Sequence, residues 1–119
     1  MMNTAFEYIN PEYLDLMTEG DVDTKKVILE MLFEELPAEL SRMRDLNDSK
    51  NWEELWQASH KMKSTLPFVG NEEMIATNIN IEQSAKEESE VEEIKELLDK
   101  LDDLYPKALA ELKEIHQSL

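Results

Sequence analysis

Histidine is the side chain best suited to exchanging a proton or a phosphoryl group near neutral pH, and this 119-residue chain has two of them. His60 stands in the stretch ASHKMKST, Ala58 to Thr65, with Lys61 beside it, Lys63 three residues on, and the small hydroxyl residues Ser64 and Thr65 next. The setting is unexpected, because the chain has 28 acidic residues against 12 basic ones and a net charge of −16. An imidazole with a pKa of about 6.5 is mostly uncharged at pH 7, so a ring nitrogen is nucleophilic. Nearby ammonium groups favour the uncharged ring and attract phosphoryl oxygens once they arrive. Phosphoryl transfer needs mainly positioning and charge stabilisation, so these residue types suit a phosphoryl acceptor. Taken alone, H-K-x-K equally fits a surface histidine with two solubilising lysines.

Other chemistry finds less support. A calcium loop beginning at Asp45 has Lys50 where glycine belongs and Trp56 where a bidentate glutamate belongs. A di-iron bundle needs Glu-x-x-His, and Glu114 lies only two residues before His116. His116 therefore reads as a frayed, solvated residue, and no metal site is expected. The chain has no cysteine, which excludes disulfides and thiolate metal sites. No glycine-rich phosphate loop of the GxxxxGK[ST] or GxGxxG kind occurs. The acidic runs EELPAE, KEESEVEE and LDDL read as solvated faces, and Met31, Met43, Met62 and Met74 as core or core edge.

The charge balance disfavours nucleic acid and an anionic membrane surface as partners and favours a soluble monomer. The N-terminal stretch MMNTAFEYINPEYL has neither a basic segment nor an apolar one of signal type. No run of about 18 apolar residues is present, and a cytoplasmic location is expected.

A side chain can do such chemistry only if rigid elements hold it. With two glycines and four prolines, the chain is poor in tight turns and rich in helix formers. A single domain over residues 1–119 is expected, with its bundle core at about 22–116. A short first helix spans about Pro11–Met17, capped by Asn10. A second runs from about Val22 to Leu46, with the stripe Ile28, Leu29, Leu32, Phe33, Leu36, Leu40, Met43 and Leu46 continuing through Pro37. A third runs from Asn51 to about Leu66 on the seam Trp52, Leu55, Ser59, Met62 and Leu66. A fourth runs from Asn71 to about Lys86, with Met74, Ile75, Ile79 (or Asn78) and Ile81 inward. The fifth, from Val91 to Ile115, carries Pro106 inside it. Long helices with short connections predict an all-α fold, an antiparallel four-helix bundle with a short additional N-terminal helix.

At about 100° per residue, His60 falls one step off its helix's seam, at the exposed edge. Trp56 and Gln57 lie one turn below it and Lys63 and Ser64 one turn above, while Lys61 lies farther round toward solvent. Trp56 is expected to cover the core edge, or to form with Leu66, Phe68 and Val69 an apolar patch on which a partner docks.

On these residues the chain resembles the histidine phosphotransfer (HPt) domain family of multistep two-component phosphorelays. The matching stretch is ASHKMKSTLPFVG: small residue Ala58, then His60, Lys61, apolar Met62, Lys63, Ser64 and Thr65, and Gly70 ten residues after the histidine. Downstream, Ile81–Glu82 matches the family's apolar–acidic pair, and VILEMLFEELPAELSRM matches its long second helix with a mid-helix proline. The likeness covers about Tyr13 to Leu112. It implies that His60 carries a phosphoryl group, that Lys63 steadies the phosphoryl oxygens, and that Lys61 is an auxiliary cation at the docking surface. It also implies that Gly70 lets the next helix begin close to the site. Ser64 departs from the glycine many members have there, but is still small enough to admit a partner's loop. The implied reaction is reversible passage of the phosphoryl group between aspartates of response-regulator receiver domains. The receiver supplies Mg²⁺, so the chain needs no cofactor of its own and is a carrier rather than an enzyme. Receivers are the expected partners, with a hybrid sensor kinase as a further one. Two alternatives stand beside this: a helical binding module that docks or sequesters a receiver without carrying phosphate, and the histidine-bearing hairpin of a dimeric kinase.

Overall fold

Three of the helices begin where a short polar side chain takes up a backbone N–H that the helix itself leaves free. A computed structural model describes residues 6–119; residues 1–5, part of the N-terminal stretch without a signal pattern, lie outside it. The described residues form five α-helices and no strand: α1 (Glu12–Thr18), α2 (Val22–Asp48), α3 (Trp52–Met62), α4 (Glu72–Glu87) and α5 (Ile94–Ser118). Asp21 accepts from the Thr24 N–H at the start of α2, Asn51 from Glu54 at α3, and Asn71 from Met74 at α4. Ahead of α1, Asn10 Oδ1 takes the Glu12 N–H at 2.9 Å.

The helices pack in a ring: α2 on α3, α3 on α4, α4 on α5, and α5 back on α2. Short connections make neighbours antiparallel. The molecule measures 46 × 23 × 19 Å, and its long dimension is set by α2, whose 27 residues span about 40 Å. Leu29, Leu32, Leu36, Leu40 and Met43 of α2 face Leu98, Leu101, Leu104, Ala108 and Leu112 of α5 and the buried side chains of α3 and α4 in one core. Each fully buried leucine contributes roughly 2 kcal/mol. The α2 stripe therefore outweighs the ~3 kcal/mol cost of an internal proline, and α2 continues through Pro37. The short α1 covers one end, against α2 and a 3₁₀ turn at Leu66–Phe68.

Two expectations are corrected, the end of the third helix and the surroundings of His116, and two open alternatives are decided. The third helix ends at Met62 rather than near Leu66. Pro67 disfavours helical geometry at the residue before it and offers no N–H, so the chain tightens. Lys63, Ser64 and Thr65 donate three residues back, to His60, Lys61 and Met62. On α4, Asn78 turns inward while Ile79 is 43% exposed, because Ser59 offers Asn78 partners in the core. Leu66 and Val69 are buried, so the apolar patch predicted around them does not exist on the surface. His116 is not solvated freely: its Nε2 lies 2.9 Å from Glu30 Oε2, and its ring packs edge-on against Phe33.

Gly70 also has a task that the sequence did not announce. The segment before α1 crosses it, with the Asn10 N–H donating to the Val69 carbonyl and Asn71 Nδ2 to the Tyr8 carbonyl. A Cβ on Gly70, whose φ is +73°, would lie 2.1 Å from the Asn10 carbonyl oxygen. Gly70 therefore fixes this crossing and faces Asn10, not the His60 ring.

Candidate functional site

His60 stands in the last turn of α3, where the N–H groups stop bonding four residues back and begin bonding three back. The Lys63 N–H goes to the His60 carbonyl at 3.1 Å, which leaves the Ser59 carbonyl to accept from Asn78 Nδ2 at 2.9 Å. In return Ser59 Oγ lies 2.8 Å from the Asn78 carbonyl and 2.7 Å from its Oδ1. Both side chains are buried. This clamp sets the register of α3 against α4 immediately under His60. The tight winding also brings residues three apart nearly into line, which places Lys63 over His60.

One turn beyond Asn78 on the same ridge of α4 is Glu82. Its Oε2 lies 2.5 Å from His60 Nδ1, and its Oε1 lies 3.2 Å from Lys63 Nζ. The Glu82 side chain is 13% exposed, against 62% for His60 and 46% for Lys63. Burial pushes the Glu82 carboxyl up, but hydrogen bonds from His60 and Lys63 and the charge of Lys63 outweigh it and hold the group below the usual range. Glu82 is therefore ionised at neutral pH and can only accept, so in the uncharged ring the proton sits on Nδ1 facing it and Nε2 keeps its lone pair. The arrangement presents a nucleophilic Nε2 to solvent with a lysine on the same side.

Trp56 stands edge-on to the His60 ring at a centroid distance of 6.2 Å, with Lys86 Nζ 5.1 Å above the indole. Ile79, Gln83 and Glu87 complete an open groove with His60, Lys63, Glu82 and Lys86.

The predicted site residues divide accordingly. His60, Lys63 and Trp56 come together. Gln57 turns back along α3 to Glu53, 3.2 Å away, and Ser64 Oγ donates to the Lys61 carbonyl. Lys61 is exposed but lies toward α2, in a hollow with Glu35, Glu39 and Thr65, off the His60 groove. Phe68 packs edge-on against Tyr13 of α1. The charge nearest the His60 ring is thus a carboxylate and not the ammonium groups expected from sequence, because Lys63 reaches Glu82 first. Asn78, Ile79 and Lys86 were not anticipated as site residues, and Glu82 entered only as half of a matching pair. The signal was present in the spacing Asn78, Glu82, Lys86, a polar ridge at intervals of four on an otherwise half-buried helix.

Among the described residues, no group of three or more His, Asp or Glu is placed to hold a metal ion, and no helix is long and apolar enough to cross a membrane. No curated protein and no solved structure matches the chain. The family model of the Hpt domain matches residues 27–116, which take in His60, Lys63, Glu82 and all of the four-helix bundle but the start of α2 and the last two residues of α5. The chain belongs to the Hpt domain family, the phosphotransfer modules of two-component relays.

Proposed function

We propose that this protein carries a phosphoryl group on Nε2 of His60 between aspartates of receiver domains. The observation that carries this reading is the pairing of His60 Nδ1 with Glu82, which leaves Nε2 as the free, solvent-facing nucleophile of a half-exposed ring. In the incoming step the Nε2 lone pair attacks the phosphorus of a receiver's aspartyl phosphate. The P–O bond to aspartate breaks, the carboxylate leaves with the electron pair, and the Nε2–P bond forms. The outgoing step is the reverse, onto the aspartate of another receiver. Lys63 lies one turn above on the same side and offers its ammonium to the phosphoryl oxygens. Any metal at the transferring phosphate is brought by the receiver.

Docking would use the groove lining: Ile79 as an exposed apolar contact, and Lys86, whose ammonium lies over the Trp56 indole beside the His60 ring. Lys61 and Phe68 do not line this groove.

The test is incubation with a phosphorylated receiver, followed by mapping of acid-labile, base-stable phosphate. Phosphate on His60 is expected in the native chain and none in His60→Gln, which should still bind the receiver. Binding without any phosphate on the native chain would make it a sequestering module instead.

A further inference from the structure

We propose that Glu82 retains the Nδ1 proton of the ring after His60 is phosphorylated, and so keeps the ring a neutral imidazole leaving group for the outgoing transfer. This rests on the carrier reading above. A ring phosphorylated on Nε2 has two states. With the Nδ1 proton in place it is cationic, and cleavage of the P–N bond returns the electron pair to Nε2 and releases neutral imidazole. Without that proton, the same cleavage must release imidazolate, a far poorer leaving group. In the productive step a receiver carboxylate oxygen forms the new O–P bond, the Nε2–P bond breaks, and the Nδ1–H bond is untouched.

The geometry assigns the proton's keeper. Glu82 Oε2 is 2.5 Å from Nδ1, and its other oxygen is tied to Lys63 at 3.2 Å, so the carboxylate is held in place from both ends. The charged groups facing the ring come from two elements. The end of α3 supplies Lys63, while α4 supplies Glu82, Lys86 and Glu87. The two lysines oppose a cationic ring. Glu82 is the charged group in hydrogen-bond contact with it, and it offsets them where the proton sits. Lys63 is then shared: Glu82 holds it in the resting ring, and the phosphoryl oxygens compete for it when they arrive.

The test phosphorylates the full chain with phosphoramidate and follows the ³¹P resonance of phospho-His60 against pH, whose inflection reports ring protonation. Glu82→Gln keeps the shape and an acceptor but removes the charge, and should move the inflection toward acid by about one pH unit. Lys63→Met should move it toward alkali. Transfer from the phosphorylated chain to an unphosphorylated receiver should fail at correspondingly lower pH in Glu82→Gln. Circular dichroism checks that the variants fold. Should Glu82→Gln not fold, Glu82→Asp takes its place, with a smaller acid shift expected because its carboxylate is drawn back from Nδ1. If native and Glu82-substituted chains both carry phosphate on His60 and their inflections coincide, the proposal is overturned while the carrier reading stands. If the native chain takes no phosphate on His60 from either phosphoramidate or a receiver, both fall together.

Discussion

The clamp between Ser59 and Asn78 should be worth more than two separate polar side chains. Ser59 and Asn78 are 0% and 1% exposed, and their bonds run both ways, from Ser59 Oγ to Asn78 and from Asn78 Nδ2 to the Ser59 carbonyl. Ser59→Ala removes the hydroxyl donor and leaves Asn78 Oδ1 buried without it. An orphaned buried polar group costs about 1–3 kcal/mol, so a loss of roughly 2 kcal/mol is expected. Asn78→Ala orphans the Ser59 carbonyl and opens a small cavity as well, for roughly 3 kcal/mol. The double variant has fewer groups to orphan, so it should cost less than the sum by about 1–2 kcal/mol. Urea denaturation of the four proteins, followed by tryptophan fluorescence, measures this cycle. Additivity within a few tenths of a kcal/mol would refute the argument that the two residues act as one clamp. A second readout ties the clamp to the site. The Nδ1 proton of His60, sheltered by Glu82, should give a distinct proton resonance in the native chain. It should broaden or vanish in Asn78→Ala, because the register of α4 then loosens under Glu82. An unchanged resonance in a destabilised variant would show that the clamp serves stability alone.

Other expectations follow from single contacts. Gly70→Ala should destabilise by about 2 kcal/mol or more, since its Cβ meets the Asn10 backbone at 2.1 Å on top of the left-handed φ; Gly20→Ala, at φ +74° with open space around it, should cost only about 1 kcal/mol, and denaturation midpoints compare the two. Arg44→Met should weaken the α2–α5 contact, where Arg44 meets Asp99 at 2.9 Å and Asp102, and the loss should shrink in high salt. The hydrogen bond from Arg44 lowers Asp99, that from Thr24 lowers Asp21, and Glu82 is lowered against its own burial. Groups whose folded values are depressed contribute stability that is full above the ordinary carboxylate range and is lost as pH falls through the folded values. The melting temperature should therefore drop on the acid side, and Glu82→Gln should flatten that limb.

The helices were legible because the core is made of residues whose spacing admits one reading. The stripe Leu29, Leu32, Leu36, Leu40 and Met43 is apolar at helical period whatever it packs against, and the structure buries all five. Asn51 and Asn71 announced two helix starts in the same local way. What misled lies where tertiary contacts decide. Between Asn78 and Ile79, apolarity favours burying the isoleucine, yet the asparagine goes inside because Ser59 stands opposite, a fact belonging to another helix. The end of α3 failed for a similar reason. Leu66 keeps helical phase with Met62, but Pro67 and the α1 crossing at Gly70 pull the backbone into a 3₁₀ turn, and Leu66 and Val69 sink into the core. His60 and Lys63 could be paired from spacing alone. That a carboxylate 22 residues later would sit between them could not be read, because it depends on the α3–α4 register.

That carboxylate alters the reason an acidic protein places lysines here. Sequence suggested that the lysines beside His60 locally cancel the chain's acidic field for an incoming phosphate. The groove instead holds Lys63 and Lys86 against Glu82 and Glu87, so its own charges cancel, while the chain as a whole carries −16. An approaching anion then meets repulsion from distant charges and finds relief only at contact, from Lys63. Salt distinguishes these distances: at 0.1 M the screening length is about 10 Å, so remote carboxylates are muted and a contact within a few ångströms is not. Phosphorylation of His60 by phosphoramidate, an anionic donor with no docking surface, should consequently speed up as ionic strength rises. Lys63→Met should be slower at every salt concentration while keeping the same upward slope. A native rate that falls with added salt would mean that the lysines dominate the approach after all, and that the groove attracts from afar what the geometry says it only holds on arrival.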